Sequence, residues 1–310
     1  MRYAVAASSI SLYAACATMP NVAPECPHCP VMVTVPAGTA ILGASATDRF
    51  GTADELPERR IAVATSFAVG RYEVTRGEYE AFVRATGRAI GGDCLTDRVQ
   101  RGTWAVHAGT TFRDPGFPQT DRHPVTCVDW NEARAYVDWL NATTRGGYRL
   151  LTEVEWEYVA RAGIVRNTAY PWGDDPGGGC AFANGFDGTA RAAYAGMDTS
   201  AYKVFDPLPC VDGWLTTAPV GSLAPNEFGV HDMIGNVGEW VDDCYRATRE
   251  VSSAAGASAA ADPCTRRLAK GGSWGTLAHN LRTAERLPYA ATHRDDSIGF
   301  RVARTLRARD

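Results

Sequence analysis

Residues 226–240 mix large apolar side chains with glycines at irregular spacing, and this pattern limits what the chain can fold into. A helix would repeat its apolar positions every three to four residues, and a half-buried strand would repeat them every second residue. Neither period fits, and glycine weakens both structures. The segment is therefore predicted to be a loop that large side chains pin into a core. The apolar positions are Phe228, Val230, Met233, Ile234, Val237 and Trp240, and the glycines are Gly229, Gly235 and Gly238.

The same segment carries side-chain oxygen at Asp232, Asn236 and Glu239, and Asp242 and Asp243 follow it. Turns leave backbone carbonyl groups free, and nearby carboxylates add negative charge. Together these groups suit a hard divalent cation such as calcium. The alternative is an acidic turn that is solvated by water. Composition alone leaves both interpretations open.

The rest of the composition is that of a loop-rich globular protein. Its 310 residues allow one large or two ordinary domains. The 31 glycines and 8 tryptophans fit loops that are held by aromatic anchors. A formal net charge of -4 gives no basic surface for a phosphate backbone. Nucleic acid is therefore not expected as a partner.

The N-terminus has the features of an export signal. Arg2 precedes a mildly apolar run over residues 3–17 without an acidic residue, and this run is too short and too polar to span a membrane. Residues 12–16 resemble a bacterial lipoprotein box, which makes Cys16 a candidate lipid anchor. The alternative is a disordered cytosolic N-terminus. We expect a signal at 1–18, a linker at 19–30 and one domain at 31–306. The protein would be periplasmic, an outer-membrane lipoprotein or secreted.

Eight of the nine cysteines remain when Cys16 is set aside, and their wide spacing in an exported chain indicates disulfides. Spacing alone does not determine the connectivity. Cys26 and Cys29 have the spacing of a redox motif, but they lie in a proline-rich stretch and not at a helix start, which favours a structural bridge. Pairing the other neighbours along the chain gives Cys94–Cys127, Cys180–Cys210 and Cys244–Cys264.

Capping boxes mark three helices, because in each a Thr or Asp is followed three residues later by Glu. The predicted helices end near residues 86, 141 and 162. Strands are predicted at 31–35, 40–43, 60–64 and 67–69, and the first two are expected to form a hairpin. Residues 252–261, rich in alanine and serine, are expected to form a surface loop. The three capping pairs are Thr75 with Glu78, Asp129 with Glu132, and Thr152 with Glu155.

A series of motifs, in the same order, resembles those of the formylglycine-generating enzyme family, the sulfatase-modifying-factor proteins. The resemblance covers residues 31–304, nearly all of the expected mature chain. It implies the α+β, C-type-lectin-like formylglycine-generating-enzyme fold, which is loop-rich, with short strands and about three helices. The motifs lie at residues 32–38, 72–75, 123–130, 148–157, 170–173, 217–221, 226–240, 270–274 and 299–301.

The resemblance also implies two calcium sites that combine side-chain oxygens with main-chain carbonyls. In the first, Gly185 and Trp214 would contribute carbonyls, and in the second Gly235 and Val237 would do so. A carboxylate at position 232, where relatives also carry an amide, should strengthen cation binding. The expected role is structural, and the alternative is that water satisfies the same turns. The first set is Asn184, Gly185, Asp212 and Trp214, and the second is Asp232, Gly235, Val237 and Glu239.

The copper chemistry of the family is not expected in this chain. Formylglycine-generating enzymes oxidise a substrate cysteine with molecular oxygen through copper(I), which two thiolates hold as soft ligands. The first of these cysteines follows the Lys-Gly-Gly-Ser-aromatic motif by two residues, where this chain has Thr276. The second follows a few residues later, and this chain has no cysteine beyond Cys264. Residues 273–282 also form a shorter segment than in the enzymes, which puts their peptide groove in question.

The floor of the corresponding cleft is where other ligands could bind. Arg282 and Arg286 could clamp a carboxylate or phosphate, or could pair with local carboxylates such as Glu285 or Asp295. Trp274 is either a core anchor or a stacking surface. His279, His293 and Glu285 match a two-histidine, one-carboxylate iron site by residue type but not by any regular spacing. The expected floor residues are Ser273, Trp274, Thr276, His279, Asn280, Arg282, Glu285 and Arg286.

The interpretation is an exported, calcium-binding member of this family without formylglycine-generating activity. It would act as a binding or accessory module for a peptide, protein or small-molecule ligand that the sequence does not name. The alternative is an oxidoreductase of the same family that acts on a peptide cysteine or a small metabolite with copper or iron. Some relatives of the family oxidise small molecules or siderophore precursors.

Overall fold

The computed structural model describes residues 21–22, 24–97, 104–195, 207–248 and 264–306. The expected signal at 1–18, the lipid-anchor candidate Cys16 and the expected loop at 252–261 lie outside these described residues. Within them, no helix is both long and apolar enough to cross a bilayer. The helices are α1 (Arg76–Thr86), α2 (Trp130–Thr143), α3 (Glu153–Ala160) and α4 (Gly188–Ala193), and 3-10 turns span Pro176–Ala181 and Ala278–Asn280.

Short strands form two larger sheets and two small ribbons. One sheet has the order β1-β2-β5-β13-β8 and the other has the order β11-β10-β9-β12, while β3 pairs with β4 and β6 pairs with β7. The mixture of small sheets and a few helices confirms the predicted loop-rich α+β class. The strands are β1 (Asn21–Val22), β2 (Met32–Val35), β3 (Gly38–Leu42), β4 (Arg59–Val63), β5 (Phe67–Gly70), β6 (Cys94–Thr96), β7 (Ala105–His107), β8 (Tyr148–Leu150), β9 (Gly238–Cys244), β10 (Arg267–Lys270), β11 (Leu287–Tyr289), β12 (Ile298–Phe300) and β13 (Val302–Thr305).

The three predicted helices begin where their capping boxes are. Thr75, Asp129 and Thr152 each accept a hydrogen bond from the backbone N–H three residues later, and the Glu at that position bonds back to the cap. Helix α1 ends at Gly87, whose left-handed backbone (φ 62°) closes the last turn. Helix α4 was not predicted. These starts are confirmed because each depends only on four consecutive residues.

The predicted hairpin of the first two strands is wrong, although both strands exist. Strand β2 pairs with β1 and β5, whereas β3 pairs with β4. Val33 and Val35 of β2 are fully buried, which fits an interior position in the larger sheet. The chain therefore leaves one sheet at Pro36 and enters another ribbon. A turn sequence shows where the chain bends, but it does not show which strand lies alongside.

The stretch expected to be a linker is attached to the domain in its described part. Strand β1 pairs with β2 through Asn21 opposite Val33. Glu25 forms ion pairs with Arg145 at 2.8 Å and with Arg304 at 2.9 Å. Burial of Cys29 adds to these contacts. Residues 24–30 thus pack on the domain and do not merely lead into it.

All the predicted cysteine pairings are present as disulfides in the structure. The three longer bridges have sequence separations of 33, 30 and 20 residues, so each restricts the unfolded chain. The bridges are Cys26–Cys29, Cys94–Cys127, Cys180–Cys210 and Cys244–Cys264.

The segment 226–240 is the predicted pinned loop, and it continues into β9. All six of its large apolar side chains are buried, and all except Val237 belong to the two main core clusters. Gly235 adopts a left-handed backbone (φ 77°), and a Cβ atom there would lie 2.1 Å from the carbonyl oxygen of Asn184. Only glycine allows this approach. The loop therefore lies directly against the segment that contains Asn184.

Candidate functional site

The hydroxyl of Thr276 is part of a local turn in the segment predicted to form the cleft floor. Its Oγ1 accepts the backbone N–H of Ser273 at 2.9 Å and lies 3.1 Å from Ser273 Oγ. The backbone carbonyl of Thr276 accepts the N–H of Phe186. The side chain at the expected thiolate position therefore presents a hard oxygen that is already engaged, and it offers no soft ligand for copper(I).

Trp274 is a core anchor, the first of its two predicted roles. Its side chain is buried, its ring meets the edge of Phe117 with centroids 5.7 Å apart, and its indole N–H points to the carbonyl oxygen of Asp296 at 3.5 Å. The stacking-surface alternative would need an open ring face, which this burial does not leave.

Asp296, which the sequence analysis missed, lies against Trp274 in the segment predicted to form the cleft floor. Its carboxyl group is buried, and its Oδ2 accepts the N–H of Asp97 at 3.3 Å. Among the described residues, its Oδ1 has no hydrogen-bond partner. Burial, and next the charge of Asp295, raises the pKa of Asp296 to about 8. Burial and the neighbouring charge thus favour the protonated form of this side chain.

The two arginines predicted as a ligand clamp are engaged by carboxylates of the protein. Arg282 is buried, and it contacts Glu55 through Nη2 at 2.8 Å and Asp48 through Nη1 at 3.1 Å. It also pairs with Glu285. Arg286 Nε lies 2.8 Å from Glu153. Both guanidinium groups thus join the loop before β4 and helix α3 to residues 282–286, which agrees with the alternative of pairing with local carboxylates.

The structure does not bring the three candidate iron ligands together. His293 stacks on Tyr289 at 4.6 Å and lies 3.4 Å from Asp295, whereas Glu285 pairs with Arg282. His279 lies on a 3-10 turn that Asn280 ends. Among the described residues, no group of three metal-ligating side chains contains either histidine. The predicted two-histidine, one-carboxylate set is therefore not assembled.

The first predicted calcium set is assembled around Asp212. Its Oδ2 accepts the N–H of Gly185 at 3.3 Å, and its Oδ1 accepts the N–H of Trp214 at 2.7 Å. Asn184 is buried, and its Nδ2 donates to the carbonyl oxygen of Thr216. Within the described part of the chain, Asn184 Oδ1 has no hydrogen-bond partner. A buried amide oxygen without a donor costs free energy, and a cation at this place would remove that cost.

Asp187 adds a second carboxylate to this set, and the sequence analysis missed it. Its Oδ2 accepts the N–H of Asp212, and its Oδ1 accepts the N–H of Thr189 as the cap of α4. The side-chain ligand atoms of Asp187 and Asp212 lie within 4.8 Å of each other and of the sulfur of Cys180. That sulfur belongs to a disulfide, so it is not a thiolate ligand. The usable donors are all hard oxygens, which is the chemistry that calcium prefers.

Close packing of these carboxylates changes their acidity. Burial, with the charge of Asp187 as a further cause, raises the pKa of Asp212 to about 6. The same two causes make a bound cation favourable, because it would compensate both the lost hydration and the repulsion between like charges.

Glu239, in the second predicted calcium set, is occupied by protein donors. Its Oε1 accepts Arg301 Nη2 at 2.7 Å, and its Oε2 accepts the indole N–H of Trp156 at 2.8 Å. Glu239 and Arg301 are both buried. A cation that used this carboxylate would have to compete with a charge-assisted pair in the interior.

Two more carboxyl groups lie near this pair. Glu73, which was not predicted, accepts Asn236 Nδ2 at 3.0 Å and the N–H of Val237 at 3.3 Å. Burial, and next the charge of Asp232, raises its pKa well above the usual range. Burial also raises the pKa of Asp232, whose Oδ2 accepts the N–H of Gly221, to about 6. Protonation therefore relieves the repulsion among three carboxyl groups around one guanidinium.

The two predicted calcium sets are neighbours in space. The N–H of Asn236 donates to the carbonyl oxygen of Asn184 at 2.7 Å, and Asn184 Nδ2 lies 3.2 Å from Asn236 Oδ1. The close approach of Gly235 to Asn184 makes this contact feasible. The loop 226–240 therefore supports the side chain of Asn184 in the first set.

The chain is similar in sequence and fold to several known proteins. Residues 18–306 match the family model of the Sulfatase-modifying factor enzyme 1-like domain. The formylglycine-generating enzyme of Thermomonospora curvata is 30% identical over 304 residues, which are 88% of this chain and 92% of that protein. The inactive C-alpha-formylglycine-generating enzyme 2 of Bos taurus is 28% identical over 302 residues, covering 88% and 87%. The structure of PvdO from Pseudomonas aeruginosa matches with a TM-score of 0.73 and 33% identity, over 93% of this chain and 99% of that one.

Proposed function

Because the chain belongs to the family of the Sulfatase-modifying factor enzyme 1-like domain, we propose that it is an exported, calcium-binding member that lacks formylglycine-generating activity. It acts as a binding or accessory module for a peptide, protein or small-molecule ligand. The fold of the family is kept, while the ligands for its copper ion are missing.

One observation carries this proposal. Thr276 stands two residues after the Lys-Gly-Gly-Ser-aromatic motif, and its hydroxyl is bonded within the Ser273 turn. The whole sequence has no cysteine after Cys264, and Cys264 itself is bridged to Cys244. No pair of thiolates is left to hold copper(I) at this position. A relative named as inactive, the Bos taurus protein, indicates that the fold also occurs without this activity.

Calcium is proposed first at the set formed by Asn184, Asp212 and Asp187, with the carbonyls of Gly185 and Trp214. The orphaned Oδ1 of Asn184 and the two adjacent carboxylates support this assignment. A bound ion would join the segment before α4 to the loop that follows Cys210. Its role is structural, because the loops it joins have little regular structure of their own.

Calcium at the second set, which contains Asp232, Gly235, Val237 and Glu239, is the weaker part of this proposal. The cluster of three carboxyl groups favours a cation, but the hydrogen bonds from Arg301 and Trp156 to Glu239 oppose it. An ion there could use Asp232 and the two carbonyls without displacing Arg301. Calcium stoichiometry of the purified protein distinguishes one occupied set from two.

Export is supported by residues 1–18 and by the four disulfides. Disulfides persist in oxidising compartments such as the periplasm, the outer surface and the medium. Export from the cytoplasm therefore agrees with the presence of four disulfides. A lipid at Cys16 is proposed as the anchor, and mass spectrometry of protein from its own host would detect the modified N-terminus.

The test of the central proposal is an aldehyde assay. The disulfide-intact mature protein is loaded with copper(I) and incubated in air with a cysteine-bearing peptide, with the Thermomonospora curvata enzyme as the positive control. We expect no aldehyde above that of copper with the peptide alone. Aldehyde formed by this chain at a rate near that of the control would overturn the proposal.

The alternative function is an oxidoreductase that uses copper or iron with different ligands, and one observation favours it. The carboxyl group of Asp296, whose pKa burial raises to about 8, lies in the segment next to Trp274, and it could exchange a proton only with a substrate that displaces the residues covering it. Stoichiometric iron or copper in protein from its own host, together with oxygen uptake, would support this alternative. Calcium as the sole metal would support the module.

A further inference from the structure

A cleft of about 550 Å³ opens between three segments of the chain. One wall is the loop after β3 with Asp48, Arg49 and Phe50, the second contains Tyr170, and the third contains His279. Small-molecule sites typically have volumes of roughly 300–1,000 Å³. His279 is the one predicted floor residue that lines this cleft, so the cleft is distinct from the site that the family resemblance predicts.

The three walls of this cleft are tied together at their base. The buried Arg282 donates from Nε to the carbonyl oxygen of His279 at 2.6 Å and from Nη1 to Asp48 at 3.1 Å. The phenol of Tyr170 donates to the carbonyl oxygen of Ala278 at 2.8 Å. Because these buried contacts hold the walls in place, little order would be lost when a ligand binds. The cleft is therefore preorganised.

The lining presents aromatic rings to a ligand. The rings of Phe50 and His279 have centroids 5.5 Å apart. Tyr170 is buried and stacks on the parallel ring of Trp172 at 5.0 Å, with an interplanar angle of 5°, so it forms the closed back of the cleft. Burial, and next the charge of Arg282, lowers the pKa of His279. These walls suit a planar aromatic group.

The charged side chains around the cleft differ in whether they already have a partner in the protein. Asp48 pairs with Arg282, which it shares with Glu55 and Glu285, and Asp174 accepts the N–H of Ala169 at 2.9 Å. Arg49 is exposed, with its guanidinium carbon 4.5 Å from the centre of the Phe50 ring. In the described part of the chain, no carboxylate lies within ion-pair distance of Arg49. A guanidinium that lies over an aromatic ring and lacks an anion can take a ligand carboxylate.

We propose that this cleft binds a small aromatic carboxylate, with the aromatic ring against Phe50 and His279 and the carboxylate paired with Arg49. The inference rests on the proposed role of the protein as a binding module and names the ligand class for it. It requires neither calcium nor copper. Its failure would leave the aldehyde assay and the calcium stoichiometry unaffected, so the two proposals can fail separately.

The test compares three probes by isothermal titration of the disulfide-intact mature protein. They are 4-hydroxyphenylacetate, tyramine, which replaces the carboxylate by an ammonium group, and cyclohexylacetate, which replaces the aromatic ring. We expect 4-hydroxyphenylacetate to bind about tenfold more tightly than either of the others, because it alone satisfies both Arg49 and the rings. No binding by 4-hydroxyphenylacetate, or equal binding of tyramine, would overturn the proposal.

Variants of Arg49 locate the site. Arg49→Ala should weaken 4-hydroxyphenylacetate about tenfold and leave tyramine unchanged, and Arg49→Lys should lose only part of the affinity. Arg60→Ala removes an exposed arginine of β4 that does not line the cleft, and it should bind like the unmodified protein. Since Arg49 is exposed and has no ion pair, its variants should fold. Equal affinities for Arg49→Ala and Arg60→Ala would show that binding occurs elsewhere.

Discussion

Arg301 holds the carboxylate of Glu239 inside the protein, with Nη2 2.7 Å from Oε1 and Nε 3.2 Å from Oε2. The same guanidinium donates to the carbonyl oxygens of Gly70 and His231. Arg301 lies between β12 and β13, and Glu239 lies in β9, so the pair joins the two larger sheets. Each donor and acceptor in this pair is buried. The contact ties together the segments that meet behind the loop 226–240.

Glu239→Ala should therefore destabilise the protein whether or not calcium is present. Removing one partner leaves an unpaired buried charge, which costs about 3–5 kcal/mol. The measurement is the free energy of unfolding in urea, with calcium and with a chelator. Glu239→Gln, which keeps an acceptor for Trp156, should lose less. A loss that occurs only in calcium would instead identify Glu239 as a calcium ligand.

Asp212→Asn should remove most of the calcium-dependent stabilisation. A ligand at about a hundred times its dissociation constant stabilises the folded state by about 2.7 kcal/mol. For a domain of this size, that corresponds to a rise in melting temperature of roughly 5–10 °C. Differential scanning calorimetry in calcium and in chelator measures the rise. Asp138→Asn changes an exposed carboxylate of α2 and should keep it. Identical melting of the unmodified protein in both buffers would contradict the calcium site.

The Cys94–Cys127 bridge should contribute more stability than the Cys26–Cys29 bridge. Their sequence separations are 33 and 3 residues, and a longer closed loop restricts the unfolded chain more. Replacing the first pair by alanines should cost about 4 kcal/mol, and replacing the second should cost about 2 kcal/mol. Urea unfolding of both double variants tests the order. Equal losses would mean that loop length is not the dominant cause.

Asp296→Asn should flatten the dependence of stability on pH. The folded pKa of Asp296, about 8, is above its usual value of 3.8, so the folded protein keeps a proton that the unfolded chain releases. The resulting stabilisation is complete below about pH 4 and is lost as pH rises through 8. Between pH 5 and pH 9, the unmodified protein should lose about 2–4 kcal/mol more than the variant.

The control for the pH experiment is Asp138→Asn, because Asp138 is exposed. Its free energy of unfolding should follow the unmodified protein across the same pH range. Parallel curves for Asp296→Asn and the unmodified protein would show that the buried carboxyl group does not keep its proton. Urea unfolding at fixed ionic strength provides the values.

Local patterns predicted much of the secondary structure and the covalent framework. Each helix start depends on a cap and a Glu three residues later, and all three were found in place. Pairing neighbouring cysteines also succeeded, because each bridge joins two cysteines with no other cysteine between them in the chain. The β2–β3 hairpin failed because strand pairing depends on which distant strand covers a buried face.

The sequence likewise predicted only some residues of the candidate site. The sequence named Asp212 and Asn184 through motif resemblance, but it missed Asp187, Glu73 and Asp296. Asp187 could have been found as the cap of α4, since Asp before Gly and Thr is a helix-start signal. Glu73 and Asp296 carry no local signal. Their importance comes from burial and from carboxyl groups that are distant in the sequence.

By itself, the sequence determined which atoms the protein has available: no thiolate after Cys264, a hydroxyl at Thr276, and the caps that start three helices. These properties depend on residue identity or on four consecutive positions. Only the tertiary structure decided that Arg301 engages Glu239 and that Arg282 supports the walls of a cleft. It also showed that Arg49 has no carboxylate partner among the residues that the structure describes. The physical reason is that charge pairing and burial depend on distances between residues far apart in the chain, and folding alone sets those distances.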